Sequence, residues 1–539
     1  MTHSTGSGRA GGVELYDTTL RDGTQMEGIS LSVDDKLKIA RRMDELGVHY
    51  IEGGWPGSNP KDVEFFARAG EIGLKNARLA AFGSTRKAGR RADTDPNLKA
   101  LVGAGTPVVT IVAKAHDRHV THVLETTLEE NLAMIADSIR YLKGQGHTVF
   151  LDAEHFFDGF EANPDYALQC LKTAANAGAD CAVLCDTNGG TITSRVAEIV
   201  RRVVAELTCP VGMHAHNGAE VAVANSLAAV EAGARQVQGA ANGYGDMCGN
   251  ANLFSIIANL KLKMGLDVVT DEQIQRLTEV AHYVAEIANQ PPNPRQAYVG
   301  SAAFVHKAGL HAAAVAKEDW SYQHVEPERV GNTNRFLISE LAGIGNVVRK
   351  LHERGIEVSL DQARSIRDHI KEKEALGWQY EGAEASFELL VRRMLGDYSP
   401  PFEITSHKVT IEPGRSIDPR TGEREYIAGV RMTLLIRKDG REWKGHADHQ
   451  GVGPIDALDK ALRAAIVGQY PGIASLRLTD FKVHIIDSHH STEAMTRVLI
   501  ESAAGEFSWW TVGTSPNIIE ASIMALVDSY EYWFLQFEK

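Results

Sequence analysis

At 539 residues the chain is too long for a single hydrophobic core, and its length fits about three or four folding units. A formal net charge of −14 argues against general nucleic-acid binding, because phosphate backbones reward clustered Lys and Arg; an anionic ligand must find local positive charge from an ion or a few placed arginines. Five cysteines (Cys170, Cys181, Cys185, Cys209, Cys248) without paired Cys-x-x-Cys motifs fit reduced thiols in the cytoplasm, and no apolar run reaches membrane-spanning length.

Residues 1–12, MTHSTGSGRAGG, read as a disordered tail, since they lack the apolar stretch of a signal peptide. From Val13 to about Leu260, short β-rich runs alternate with helical segments. The predicted strands are VELYD from Val13, YIEGG from Tyr50, LAAFG from Leu79, VVTIV from Val108, TVFLDAE from Thr148, CAVLCD from Cys181, PVGMHAH from Pro210 and QVQGA from Gln236. Stretches such as DDKLKIARRMDELG lie between them, with apolar residues at three- and four-residue spacing. This rhythm predicts an α/β chain whose residues 13–270 form a (β/α)8 TIM barrel; the alternative, a doubly wound open sheet, lacks a GxGxxG after the first strand. In a barrel, active-site groups gather at the C-terminal strand ends, here Asp17 with Arg21 and Asp22, Glu52, Ser84 and Thr85, Lys114, Glu154, Asp186 and Thr187, His214 and His216, and Asn242.

NQPPNP, ending at Pro294, breaks the helical pattern. Residues 271–400 then predict mostly helical linker subdomains, and YSPP marks a boundary near Pro401. Residues 401–539 contain a repeat: strand, Gly turn, strand, Gly-rich loop and a helix entered through Pro, with Gly451 and Pro454 matched by Gly513 and Pro516. A helix N-terminus behind such a loop can hold a small carboxylate, although glycines placed for tight turns account for the pattern as well.

The chemistry concentrates at the barrel mouth. In GMHAHNG, His214 and His216 stand two apart on a strand, hence on one face and roughly 7 Å apart at the backbone. The pair alone also fits two polar residues ending an ordinary strand. Combined with Arg21 and Asp22 after the first strand, it gives one carboxylate and two imidazoles, a donor set suited to Mg, Mn, Co or Zn with positions left open for substrate. The basic stretch STRKAGRR, with Arg86, Lys87, Arg90 and Arg91, suits either an anionic ligand or a solvated face.

DTTLRDG, HAHN and NGYGDMCGNANL resemble the DRE-TIM metallolyases. The length, the middle region and the repeated C-terminal module resemble the 2-isopropylmalate synthase and citramalate synthase branch, as do YIEGGWPGSNPKD, AFGSTRKAG, AEHFFDG and SPNIIEAS. The resemblance implies a Claisen condensation of acetyl-CoA with a 2-keto acid, pyruvate giving (R)-citramalate, in a homodimer, with isoleucine as effector of the C-terminal module. It implies a divalent metal ion (Mn, Mg, Co or Zn) on Asp22, His214 and His216 with Asn250 beside them, and Arg21 on the developing oxyanion. It further implies Thr187 at the substrate carboxylate and Glu154 near the acetyl group. For the base that deprotonates acetyl-CoA, FVHKAGLH and SYQHVEPERVGN offer His306, His311, Tyr322 and His324; the resemblance selects His306 as base and Tyr322 as its partner, both reaching a neighbouring subunit. Alternatives are another keto acid, as in 2-isopropylmalate or homocitrate synthase, or a non-catalytic amino-acid sensor. The chain departs from the family pattern in GDMCGN, where Asp246 and Met247 replace a Glu-Arg pair, in VAKAHD after the fourth strand, and in SELAGIGN.

Overall fold

Eight parallel strands close on themselves in sequence order: β1 (Glu14–Asp17), β2 (Tyr50–Gly54), β3 (Arg78–Ser84), β4 (Val108–Lys114), β5 (Thr148–Glu154), β6 (Cys181–Asp186), β7 (Val211–Ala215) and β8 (Gln236–Gly239). The closing seam pairs Tyr16 of β1 with Tyr50 of β2 on one side and with Gln238 of β8 on the other, which excludes the open sheet. This is a computed structural model, and it describes residues 12–306, 311, 314–315, 317–336, 343–417, 424–486 and 494–538. The tail at residues 1–11, the centre of FVHKAGLH and the first part of SELAGIGN lie outside the described residues.

Strand alternation sorts the side chains. Leu15, Ile51, Leu79, Val109, Leu151 and Leu184 point outward into the layer shared with helices such as Val33–Leu46 and Leu128–Gly144. Inside, Tyr16, Tyr50 and Phe150 meet with ring centroids 5.1 to 6.1 Å apart and, with Val108, Cys181, Val183 and Cys185, fill the barrel as a packed core. The helix Val33–Leu46 shows how locally the ends are encoded: Ser32 and Asp35 form a capping box, and Gly47 at φ +94° ends it.

The first unit comprises the residues up to Phe304 with Gln323–Asn334; the second comprises Val305–Tyr322 and Arg335 onward. In the second unit, β9 (Val305–His306) pairs in parallel with β10 (Arg335–Phe336), and helices Ile344–Glu353, Leu360–Ala375 and Glu384–Leu395 follow. The C-terminal repeat consists of two antiparallel sheets, β11 (Phe402–Ile417), β12 (Arg424–Lys438) and β13 (Arg441–Gly451), then β14 (Arg477–Ile485), β15 (Thr496–Ala504) and β16 (Phe507–Ser515). Helices Pro454–Val467 and Ile518–Phe537 complete the two copies. Each copy has one strand more than the sequence suggests, because the leading strands β11 and β14 are largely exposed and carry little apolar signal. The helix entries also differ: Pro454 directly follows the cap Gly453, whereas Pro516 precedes Asn517, whose side chain accepts the Ile519 N–H at 2.9 Å. Among the described residues no helix is long and apolar enough to cross a membrane.

At the end of β1, Asp17 is fully buried. Thr19 donates both its N–H (3.1 Å) and its hydroxyl to Asp17 Oδ1, while Oδ2 has no hydrogen-bond partner among the described residues. Burial pushes this carboxyl up to about 7, opposed by Thr19 and assisted by Glu52. A carboxyl that holds its proton more tightly folded than unfolded contributes stability at low pH that is lost as pH rises from about 4 through 7. Denaturant midpoints measured across that range should therefore fall more steeply for the wild type than for Asp17→Asn; parallel curves would contradict the assignment.

Candidate metal centre

The segment after β1 turns back over the barrel because one carbonyl, that of Thr18, accepts the N–H groups of Arg21 (3.2 Å), Asp22 (2.9 Å) and Gly23 (3.1 Å), while the Thr18 N–H is anchored to Gly239 of β8 at 2.9 Å. This turn delivers Asp22 to the end of β7. His214 Nε2 and His216 Nε2 lie 3.3 and 3.4 Å from Asp22 Oδ2, and one donor atom from each of the three residues falls within 4.8 Å of the others. Burial works to raise the Asp22 carboxyl, but the Arg21 guanidinium and the two imidazoles outweigh it and hold the group well below the ordinary carboxylate range.

His216 lies one residue beyond β7, in an isolated β-bridge with Asn250. Asn250 Nδ2 donates to the Tyr244 carbonyl at 3.1 Å, and its Oδ1 is buried without a partner among the described residues, as is His216 Nδ1. The unsatisfied Asn250 oxygen beside converging carboxylate and imidazole donors suits a cation, so the four residues fit a divalent ion. The residues themselves pointed to Asp22, His214 and His216 and the resemblance added Asn250; the fold brings the first three together and sets Asn250 against His216.

Arg21 is held on three sides. Its Nε donates to Glu52 Oε1 at 2.5 Å, Nη1 lies 3.4 Å from Asp22 Oδ1, and the guanidinium sits over the Phe82 ring, 3.8 Å from the centroid. Tyr16 donates its hydroxyl to the other oxygen of Glu52 at 2.5 Å, which leaves the phenol oxygen to accept from Thr110 at 2.7 Å. A second buried chain runs behind His214: its Nδ1 lies 2.9 Å from Gln238 Oε1, and Gln238 Nε2 donates to Asp152 Oδ1 at 3.1 Å. Sequence reasoning noted Glu52 only as a strand end and missed Asp152 and Gln238. The available signal was the two-residue strand period, which puts Asp152 on the face of Glu154.

The remaining candidates fall in different places. Glu154, opposite Lys114 in the β4–β5 register, forms an ion pair with it. Thr187 Oγ1 accepts the backbone N–H of His155 at 2.8 Å, and His155 itself is left-handed at φ +54°. His306 on β9 and Tyr322, stacked on His311 with centroids 4.3 Å apart, belong to the second unit. His324 belongs to the first unit, its ring 5.1 Å from that of Tyr298. In the basic stretch, Arg86 is buried and committed to Glu130 (2.7 Å) and Asp137 (2.8 Å), and Arg91 pairs with Asp93, so these two do not form an open anion patch. In the departing loop, Met247 is exposed at φ +49°, between left-handed Gly245 and Gly249. A Cβ at Gly245 would strike the Asn250 amide, and one at Gly249 the Gly243 carbonyl.

Residues 12–284 match the HMGL-like family, residues 298–376 the homocitrate synthase post-HMGL domain-like family, and residues 381–534 the LeuA allosteric (dimerisation) domain. The chain is 49% identical over 530 residues to the (R)-citramalate synthase of Aquifex aeolicus, covering 98% of both proteins. It is likewise 49% identical over 522 residues to that of Geobacter sulfurreducens, covering 96% of this chain and 97% of the relative. It is 32% identical over 518 residues to a probable 2-isopropylmalate synthase of Methanopyrus kandleri, covering 96% of this chain and 97% of the relative. The chain thus belongs to the HMGL-like family, among the members that join this barrel to a LeuA allosteric (dimerisation) domain and include these (R)-citramalate synthases.

Proposed function

We propose that this chain is an (R)-citramalate synthase, condensing the acetyl group of acetyl-CoA with pyruvate and, with water, releasing (R)-citramalate and CoA. The observation that carries this reading is the convergence of Asp22, His214 and His216 beside a pinned Arg21, in a chain nearly half identical to (R)-citramalate synthases along almost its whole length. Asp22, His214, His216 and Asn250 would hold a divalent ion (Mn, Mg, Co or Zn), which when bound polarises the keto carbonyl and stabilises the alkoxide formed by attack on it. Arg21, fixed by Glu52, donates to that developing oxyanion, and because its position is preset it costs no reorganisation during the reaction. Thr187 holds the pyruvate carboxylate, and Glu154 stands beside the acetyl group. His306 accepts the proton from the methyl carbon of acetyl-CoA, oriented by Tyr322, the two coming from a neighbouring subunit of a homodimer. Burial, with His311 adding to it, lowers the His306 pKa, which keeps its imidazole neutral and able to accept a proton at neutral pH. Isoleucine is the effector of the C-terminal module. Cytoplasmic residence fits the reduced thiols.

One methylene in an apolar pocket discriminates by only about 1 to 3 kcal/mol, so the choice of keto acid is a matter for rate measurement. Thiol release from acetyl-CoA with pyruvate, 2-ketoisovalerate and 2-ketoglutarate should give the highest kcat/KM for pyruvate, vanish on chelation and return with a divalent ion. A higher value for 2-ketoisovalerate would reassign the chain as a 2-isopropylmalate synthase, and no release with any keto acid would revive the reading as a non-catalytic sensor. His306→Ala should lower kcat by roughly a hundred- to ten-thousandfold while pyruvate binding by calorimetry persists; unchanged turnover would remove His306 from the mechanism. Isoleucine should inhibit the full chain and not a chain ending near Pro401; inhibition that survives the truncation would place the effector elsewhere.

A further inference from the structure

A neutral histidine that ligates through Nε2 carries its proton on Nδ1, and when the ring is buried that N–H needs an acceptor. His214 is 5% exposed, its Nε2 faces Asp22, and its Nδ1 faces Gln238 Oε1 at 2.9 Å. Gln238 is itself fully buried, and its amide is held at the other end: Nε2 donates to Asp152 Oδ1 at 3.1 Å and to Gln236 Oε1 at 3.3 Å. Turning the amide over would set its oxygen against those two oxygens and its NH2 group against the His214 N–H. As a carboxylate Asp152 only accepts, which sets the direction of the Gln238 amide, and when protonated it still has an oxygen able to accept from Nε2.

We propose that Gln238 is a positioning residue: by accepting from His214 Nδ1–H, it fixes the tautomer and ring orientation that turn the Nε2 lone pair toward the cation site, with Asp152 setting the direction of its amide. This rests on reading Asp22, His214 and His216 as metal ligands, and it adds an uncharged residue from β8.

The test is the affinity of the full-length, metal-stripped protein for cobalt(II) alone, measured by chelator competition, with melting of the metal-free proteins recorded alongside. Gln238→Met removes the acceptor and should weaken binding roughly ten- to a hundredfold. Gln238→Glu keeps an acceptor for the His214 N–H while giving up the two N–H groups that Asp152 and Gln236 accept, and should bind cobalt more tightly than Gln238→Met. A wild type that binds no cobalt would refute the ligand reading itself. Equal affinity of wild type and Gln238→Met, or equal losses in the Met and Glu variants, would leave the ligands standing and overturn the role of Gln238. A second measurement needs no variant: in zinc-loaded, 15N-histidine-labelled protein, His214 should show a slowly exchanging Nδ1–H, and its absence would overturn the proposal if the Met variant fails to fold.

Discussion

Closing eight parallel strands into a barrel forces alternate side chains inward, and whatever is charged among them must find a partner away from water. At the C-terminal mouth this constraint acts on Asp22, Glu52 and Asp152, all buried, against the single guanidinium of Arg21, which serves Glu52 and Asp22 together. Burial pushes Asp152 up to about 7, with Glu52 adding to it, whereas Asp22 is held down because the cationic partners lie on its side. Asp22 is thus kept ionised between the guanidinium and two imidazoles, the form in which a carboxylate can ligate a divalent cation.

Below this polar belt, Tyr16, Tyr50 and Phe150 plug the barrel, and Tyr16 links the two layers: its ring belongs to the plug and its hydroxyl supports Glu52. The rigidity of Arg21 therefore derives from the hydrophobic packing beneath it. Much of this was legible in the chain. The period of the apolar runs located all eight strands, and the i, i+2 pair His214 and His216 with Arg21 and Asp22 marked the candidate metal centre, because those signals are local. Glu52, Asp152 and Gln238 were legible only as residues, since their meaning depends on β2, β5 and β8, which are distant in sequence and meet only on closure. Arg86 misled for the converse reason: a basic run looks like surface until Glu130 and Asp137, from the helix Leu128–Gly144 beyond β4, draw one of its members inward.

In the second unit, charge serves architecture. Arg354 joins Glu384 and Glu388, and Arg393 reaches Asp528 and Glu531 at 2.7 Å each, fastening the helices Ile344–Glu353 and Glu384–Leu395 to the last helix. That helix also buries Tyr530, Tyr532, Trp533 and Phe534 against the repeat's sheets. Removing Arg393 would leave the buried carboxylates of Asp528 and Glu531 without their cation, so this contact ties the helix Glu384–Leu395 to the last helix.

The loop from Gly243 to Asn250 carries a consequence for how such a chain can change over time. Its path is set by glycines whose missing side chains let Gly243 and Asn250 approach closely, while Met247 and Cys248 project into solvent. Shape and surface are thereby assigned to different residues. Exchanges at Cys248, and at Met247 among residues that tolerate its φ of +49°, leave the contacts of Asn250 in place, whereas a methyl group added at Gly245 collides with the Asn250 amide and one at Gly249 with the Gly243 carbonyl, so the loop can drift in chemistry along a backbone that cannot.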